Sequence, residues 1–166
     1  MPFTNARNRN DGFTLIEVLV VLIMIGILSA ITAPSVLGLY ARFQVKSALN
    51  QVQGAFQEGQ RQAMRTSKTC SLSLDNFNSL IAGTCLLTGT RQLNGVSMRS
   101  SLTAMQFNIK GLMLDASSAS LTQPVTVVIS SNNTPTQSCL VLSTPLGLMR
   151  TGTYAGIDTV DSHCLP

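Results

Sequence analysis

The chain has 166 residues, a formal net charge of +4 and 45% hydrophobic residues, yet only 11% of it is charged, less than half the usual share of about 25%. Its 18 Ser and 17 Thr fill that gap, and there is no Trp and a single His. This composition excludes a disordered charged tail, a histone-like nucleic-acid packer and a coiled-coil rod, and bounds the chain to one domain plus an anchor or tail.

Residues 1–12 form a short polar leader with Arg7, Arg9 and Asp11 that ends in Asp11-Gly12. Residues 13–33, FTLIEVLVVLIMIGILSAITA, carry one charge, Glu17. As a helix rising about 1.5 Å per residue the run is roughly 31 Å long, the thickness of a bilayer core. A buried core helix of this length would show a polar face. A cleaved secretory signal would not carry a carboxylate early in its apolar run, and Ile31-Thr32-Ala33 fits its cleavage pattern poorly. The expectation is a transmembrane half-helix over 13–34.

Pro34 interrupts the run, and a helix passes such a proline at a cost of about 3 kcal/mol unless tertiary contacts compensate. Beyond it Val45, Leu49, Val52, Phe56, Gly59 and Ala63 step by four or three and form one stripe, with Arg42, Lys46, Asn50, Gln53, Gln57 and Arg61 on a second. The spacing predicts one helix from about Phe13 to about Thr66, its second half, 35–68, amphipathic. That half also holds the chain's basic excess, with Arg42, Lys46, Arg61, Arg65 and Lys68 against Glu58. It reads as a solvated face, or one meeting acidic groups of neighbouring subunits, ahead of a DNA track.

From Cys70 the period becomes two. Cys70-Ser-Leu-Ser-Leu alternates, as do parts of Met105–Ile109, Val125–Ile129 and Cys139–Ser143. Turn signals separate the runs at Asp75-Asn76, Ala82-Gly83, Asn94-Gly95, Lys110-Gly111, Ser131–Pro135 and Pro145–Gly147. A long helix followed by strands gives an α+β class with an antiparallel meander in residues 69–166.

Cys70, Cys85, Cys139 and Cys164 all lie in that region, with no C-x-x-C pair. An even count of this kind reads as two disulfides, against four buried free thiols as the alternative. Three pairings are open, and sequence proximity favours Cys70–Cys85 with Cys139–Cys164. Disulfides would place residues 69–166 outside the cytoplasm.

The string Gly12-Phe13-Thr14-Leu15-Ile16-Glu17, followed by an unbroken apolar run, Gly26 and Pro34, resembles the prepilin processing site of type IV pilins and type II secretion pseudopilins. The resemblance implies a pilin fold. It also implies cleavage between Gly12 and Phe13 by prepilin peptidase, N-methylation of Phe13, and assembly with other pilins through the amino-terminal helix. Glu17 would cost about 2.5–3.5 kcal/mol alone in a bilayer. An amine of Phe13 on a neighbouring subunit would neutralise it, and positions 13 and 17 share a helix face.

The order Met105–Gly111, Pro124–Ser130, Cys139–Ser143 and Gly147–Gly152 resembles the GspH/FimT group of minor pilins and pseudopilins. Some members of that group bind DNA for uptake through a glycine-arginine-x-arginine element, which here reads Gly147-Leu148-Met149-Arg150. Leucine at the first arginine position removes one phosphate contact. Arg150, Arg99, Lys110 and Arg91 are the candidate contacts for double-stranded DNA, placed by the sequence in loops and strand ends. Only Phe77, Phe107 and Tyr154 supply aromatic rings in this half, too few for a single-strand stacking platform.

His163, between Asp161 and Cys164, reads as a flexible terminal histidine in preference to a metal ligand or catalytic base. Asn132-Asn133-Thr134 matches a glycosylation sequon. No catalytic, metal or cofactor constellation is legible. The functional expectation is a non-enzymatic minor pilin, anchored in the plasma membrane and then built into a pilus, acting in assembly, priming or DNA uptake. A type II secretion pseudopilin and a dedicated DNA receptor are the alternatives.

Overall fold

The computed structural model describes residues 12–166, with the side chains of residues 31–35 outside the description. The leader expected at 1–12 therefore lies, except for Gly12, outside the described residues. The chain divides between Leu37 and Gly38 into two units.

Helix α1 spans Leu15–Thr66 and includes Pro34. It starts two residues later than the expected Phe13 because Thr14 caps it. The Thr14 carbonyl and Oγ1 accept from the Glu17 N–H at 3.1 and 3.3 Å, satisfying a donor the helix cannot use itself. Phe13 thus precedes the helix. At the other end Ser67 turns the backbone left-handed (φ +52°) and stops it.

In the amino-terminal unit every described side chain from Phe13 to Ala30 is exposed. Among the described residues no helix is long and apolar enough to cross a membrane. The last four positions of the span expected at 13–34 fall among the residues whose side chains are not described.

The carboxy-terminal unit holds the remaining turns of α1 and ten strands in two antiparallel sheets. The strands are β1 (Cys70–Asp75), β2 (Leu80–Gly83), β3 (Arg91–Gln92), β4 (Ser97–Ser100), β5 (Ala104–Phe107), β6 (Met113–Leu114), β7 (Val125–Ser131), β8 (Thr134–Ser143), β9 (Leu148–Tyr154) and β10 (Cys164–Leu165). The first sheet runs β3-β2-β1-β5-β6 and the second β10-β9-β8-β7-β4. Two runs keep the simple meander that alternation suggests, β1-β2-β3 in the first sheet and β7-β8-β9-β10 in the second. The early strand β4 pairs with β7 and belongs to the second sheet. Ala82-Gly83, expected as a turn, ends β2, where Gly83 leaves room for Leu72 and Leu86.

The apolar stripe of α1 is buried at Val45, Leu49, Val52, Phe56, Gly59 and Ala63, while Arg42, Lys46, Asn50 and Arg61 are exposed. The stripe joins one core with Leu72, Ile81, Met105 and Phe107 of the first sheet and Val127, Ile129, Leu140 and Leu142 of the second. Burying each such side chain is worth about 1.5–3 kcal/mol. Gly59 belongs in the stripe because β1 comes so close: a Cβ there would meet Leu72 Cδ1 at 3.0 Å and the Cys70 sulfur at 3.3 Å.

Alternation holds in β1 and β5 but fails in β7 and β8, where Val125–Ile129 and Cys139–Leu142 are buried throughout. The outward side chains Val128, Cys139 and Val141 form a second small core with Tyr154 and Cys164. Successive strand residues face opposite ways, so both faces of the second sheet are covered. The carboxy-terminal segment supplies the outer cover.

Candidate functional site

In the amino-terminal unit the groups expected to be processed are accessible. Gly12, Phe13 (82% exposed) and Glu17 all face outward. Thr14 and Glu17 are spaced as a capping pair, with Glu17 in the first helical turn, where the helix dipole favours a carboxylate. Thr14 was not singled out from the sequence, although the Thr-x-x-Glu spacing carries that signal.

In the carboxy-terminal unit two disulfides are present, Cys70–Cys85 and Cys139–Cys164, with Cα separations of 5.5 and 5.8 Å. The first ties β1 to the loop after β2. The second ties the centre of β8 to β10. Strand β10 reaches β9 only because position 152 is glycine: a Cβ there would collide with the Leu165 carbonyl.

The four candidate DNA contacts are not brought to one patch. Arg91 is in β3 of the first sheet and Lys110 in the exposed turn between β5 and β6. Arg99 and Arg150 lie in β4 and β9, toward opposite edges of the second sheet but on the same outer face. None of the three arginines sits in a loop, and each is engaged in the fold. Arg150 donates to the carbonyl oxygens of Cys164 and Asp161 at 2.8 and 2.9 Å. Arg99 donates to the Ile157 carbonyl and, at 2.7 Å, to Gln137 Oε1. Arg91 forms an ion pair with Glu58 and donates to the Gln51 carbonyl at 2.9 Å. Arg99 and Arg150 thereby hold the terminal segment across the outer face of the second sheet.

His163 is not a flexible terminal residue. It closes a short 3-10 turn, Asp161–His163, and its Nδ1 lies 3.0 Å from Asp158 Oδ1. The Tyr154 hydroxyl donates to the same carboxylate at 2.5 Å and accepts from the Val160 N–H at 3.0 Å. These bonds, first from Tyr154 and then from His163, hold the Asp158 carboxyl below its ordinary range. Burial, followed by the Asp158 hydrogen bond, raises the Tyr154 phenol. Among the described residues no group of acidic, histidine or cysteine side chains is arranged to hold a metal.

Two further residues were invisible to sequence reasoning. Gln60 of α1 donates to the carbonyls of Gly111 and Leu146, both at 2.9 Å, pinning one turn from each sheet. Glu58 accepts from the Leu87 N–H at 2.6 Å as well as from Arg91.

Residues 7–33 match the family model described as the prokaryotic N-terminal methylation motif. No curated protein matches the sequence. Among solved structures the chain is similar to the type IV minor pilin FimU of Pseudomonas aeruginosa. In one crystal form the identity is 14% and the TM-score 0.52, over 69% of this chain and 90% of that one. In a second form the TM-score is 0.50, over 64% and 90%, at the same identity. It is similar to the minor pseudopilin EpsH of the Type 2 Secretion System of Vibrio cholerae, with 14% identity and a TM-score of 0.51 over 66% of this chain and 97% of that one. These likenesses identify the fold as that of pilins, and the motif implies processing by prepilin peptidase and assembly with other pilins. The chain thus joins an N-terminal methylation motif to a domain with the fold of the minor pilin and minor pseudopilin structures.

Proposed function

We propose that the chain is a non-enzymatic minor filament subunit. It is cut between Gly12 and Phe13 and methylated on Phe13. It is held in the plasma membrane by a single pass over residues 13–34, with its two-sheet unit outside the cytoplasm, and acts in pilus assembly or priming. The observation that carries this reading is the methylation motif over residues 7–33 leading into a helix whose described apolar side chains are all exposed up to Ala30. Such a surface needs lipid or other helices around it. The two disulfides support the extracytoplasmic placement.

Glu17 is the register device in this reading. A carboxylate left alone in hydrocarbon is costly, so a subunit docks where the Phe13 amine of a neighbour meets it. Capture of DNA is the weaker role, because Arg91, Arg99 and Arg150 are engaged within the fold and Leu148 replaces a cation. A type II secretion pseudopilin is the second reading, favoured by the likeness to EpsH over 97% of that chain.

The test uses the full chain in its own host. The wild type is expected to begin at methylated Phe13 by mass spectrometry and to occur in sheared filaments. Gly12→Val is expected to remain uncut, and Glu17→Ala to be cut but missing from filaments. Normal incorporation of both variants refutes the reading. A deletion that abolishes protein secretion but leaves surface piliation intact selects the second reading.

A further inference from the structure

A groove of about 480 Å³ lies between the last turns of α1 and the loop joining β2 to β3, lined by Glu58, Arg61, Gln62, Arg65, Leu87 and Arg91. Past Gln62 and Leu87 it continues into a second hollow that reaches Lys68. Its only carboxylate is already satisfied: Glu58 takes the Arg91 guanidinium and the Leu87 N–H. Arg61, Arg65 and Lys68 have no such partner, and among the described residues none of them forms an ion pair. Arg61 and Arg65, four residues apart, share one helix face, and Lys68, just past the end of α1 and the left-handed Ser67, extends the row into the adjoining hollow. Across the groove Leu87 is 77% exposed. The result is a positive rail facing an apolar knob, on a ledge that the Glu58–Arg91 pair makes rigid.

We propose that this groove docks an acidic peptide segment of a partner protein. Carboxylates of that segment meet Arg61, Arg65 and Lys68, and an apolar side chain covers Leu87. Charge complementarity selects the anionic partner, and the leucine selects a peptide over a nucleic acid. Duplex contacts are made to phosphates with cations and hydrogen-bond donors, which leaves Leu87 unused. No aromatic ring lines the groove for base stacking. The proposal stands apart from the processing and assembly role of Glu17.

The test uses the full-length chain in neutral detergent micelles and a fluorescein-labelled peptide, DELLDE, read by anisotropy. Binding that falls with salt is expected. The double charge reversal Arg61→Glu with Arg65→Glu is expected to weaken it at least about tenfold, and Leu87→Ser several-fold. Arg42→Glu with Lys46→Glu makes the same charge change farther along the same helix and is expected to leave affinity unchanged. Equal loss in that control, no loss with Leu87→Ser, or tighter binding of a short DNA duplex than of the peptide overturns the proposal. So does an absence of peptide binding at low salt. Since Arg61, Arg65 and Leu87 are exposed, circular dichroism is expected to show every variant folded.

Discussion

Arg150, in the middle of β9, donates a 2.8 Å hydrogen bond to the carbonyl oxygen of Cys164, the residue whose sulfur is bonded to Cys139 of β8. A side chain that the sequence offers as a phosphate contact is thus half of a clamp. Arg99 is the other half, through the Ile157 carbonyl. Between them the terminal segment covers Val128, Cys139 and Val141, side chains that would otherwise face water.

Arg150→Ala is therefore expected to destabilise the carboxy-terminal unit by about 1 kcal/mol, the net worth of hydrogen bonds from a half-exposed charged donor. Urea denaturation of the full chain in detergent reads this. Arg150→Lys is expected to recover only part of it, since one ammonium cannot reproduce the two-pronged contact to Cys164 and Asp161.

Replacing Cys139 and Cys164 together by serine is expected to cost about 3.5 kcal/mol, the chain-entropy value for a link across 25 residues. The check is a lower denaturation midpoint, together with faster proteolysis confined to residues 155–166. An unchanged midpoint would show that the arginine clamp holds the segment unaided.

The Glu58–Arg91 pair links residues 33 positions apart, with side chains 15% and 19% exposed. Arg91→Ala leaves a shielded carboxylate without its cation and is expected to cost about 2 kcal/mol. Adding Glu58→Gln should restore part of that loss. A double-mutant cycle with no coupling would contradict the geometry.

Acid should release the terminal segment. The Asp158 carboxyl is held below its ordinary range by Tyr154 and His163. Its contribution is complete above the unfolded carboxyl pKa of about 3.9 and is lost as pH falls through the lower native value. Exchange of the Val160 amide, which donates to the Tyr154 hydroxyl, should accelerate below about pH 4. Asp75 and Asp115 are also held low by local hydrogen bonds, so Asp158→Asn is the discriminating variant. It should exchange fast at neutral pH and lose the acid step.

Gly152→Ala is expected to displace β10, because the added Cβ meets the Leu165 backbone and not a side chain that can move aside. Loss of Leu165 amide protection with an intact β8–β9 pairing would confirm the local effect.

Much of the fold was legible because its signals are local. The two stripes of α1 follow from the 3.6-residue period, and the burial of Val45, Val52 and Phe56 needs only that pattern. Alternation marked β1 and β5, each covered on one face. It failed in β7 and β8, because residues from Tyr154 to Cys164, later in the chain, bury their second face. The end of β2 was misread for a related reason: Gly83 reads as a turn, but it serves a close approach of Leu72.

The sequence alone determined what depends on neighbours along the chain: the methylation motif, the exposed apolar stretch, the amphipathic half of α1 and the cysteine count. Only the tertiary structure decided which charged groups remain available. Arg91, Arg99 and Arg150 find partners 33, 58 and 14 residues away. Arg61, Arg65 and Lys68 find no ion-pair partner among the described residues. A side chain's charge is written in the sequence, but its hydrogen-bond partners are set by how distant segments pack. The division between clamping and rail-forming cations therefore appears only in the folded chain.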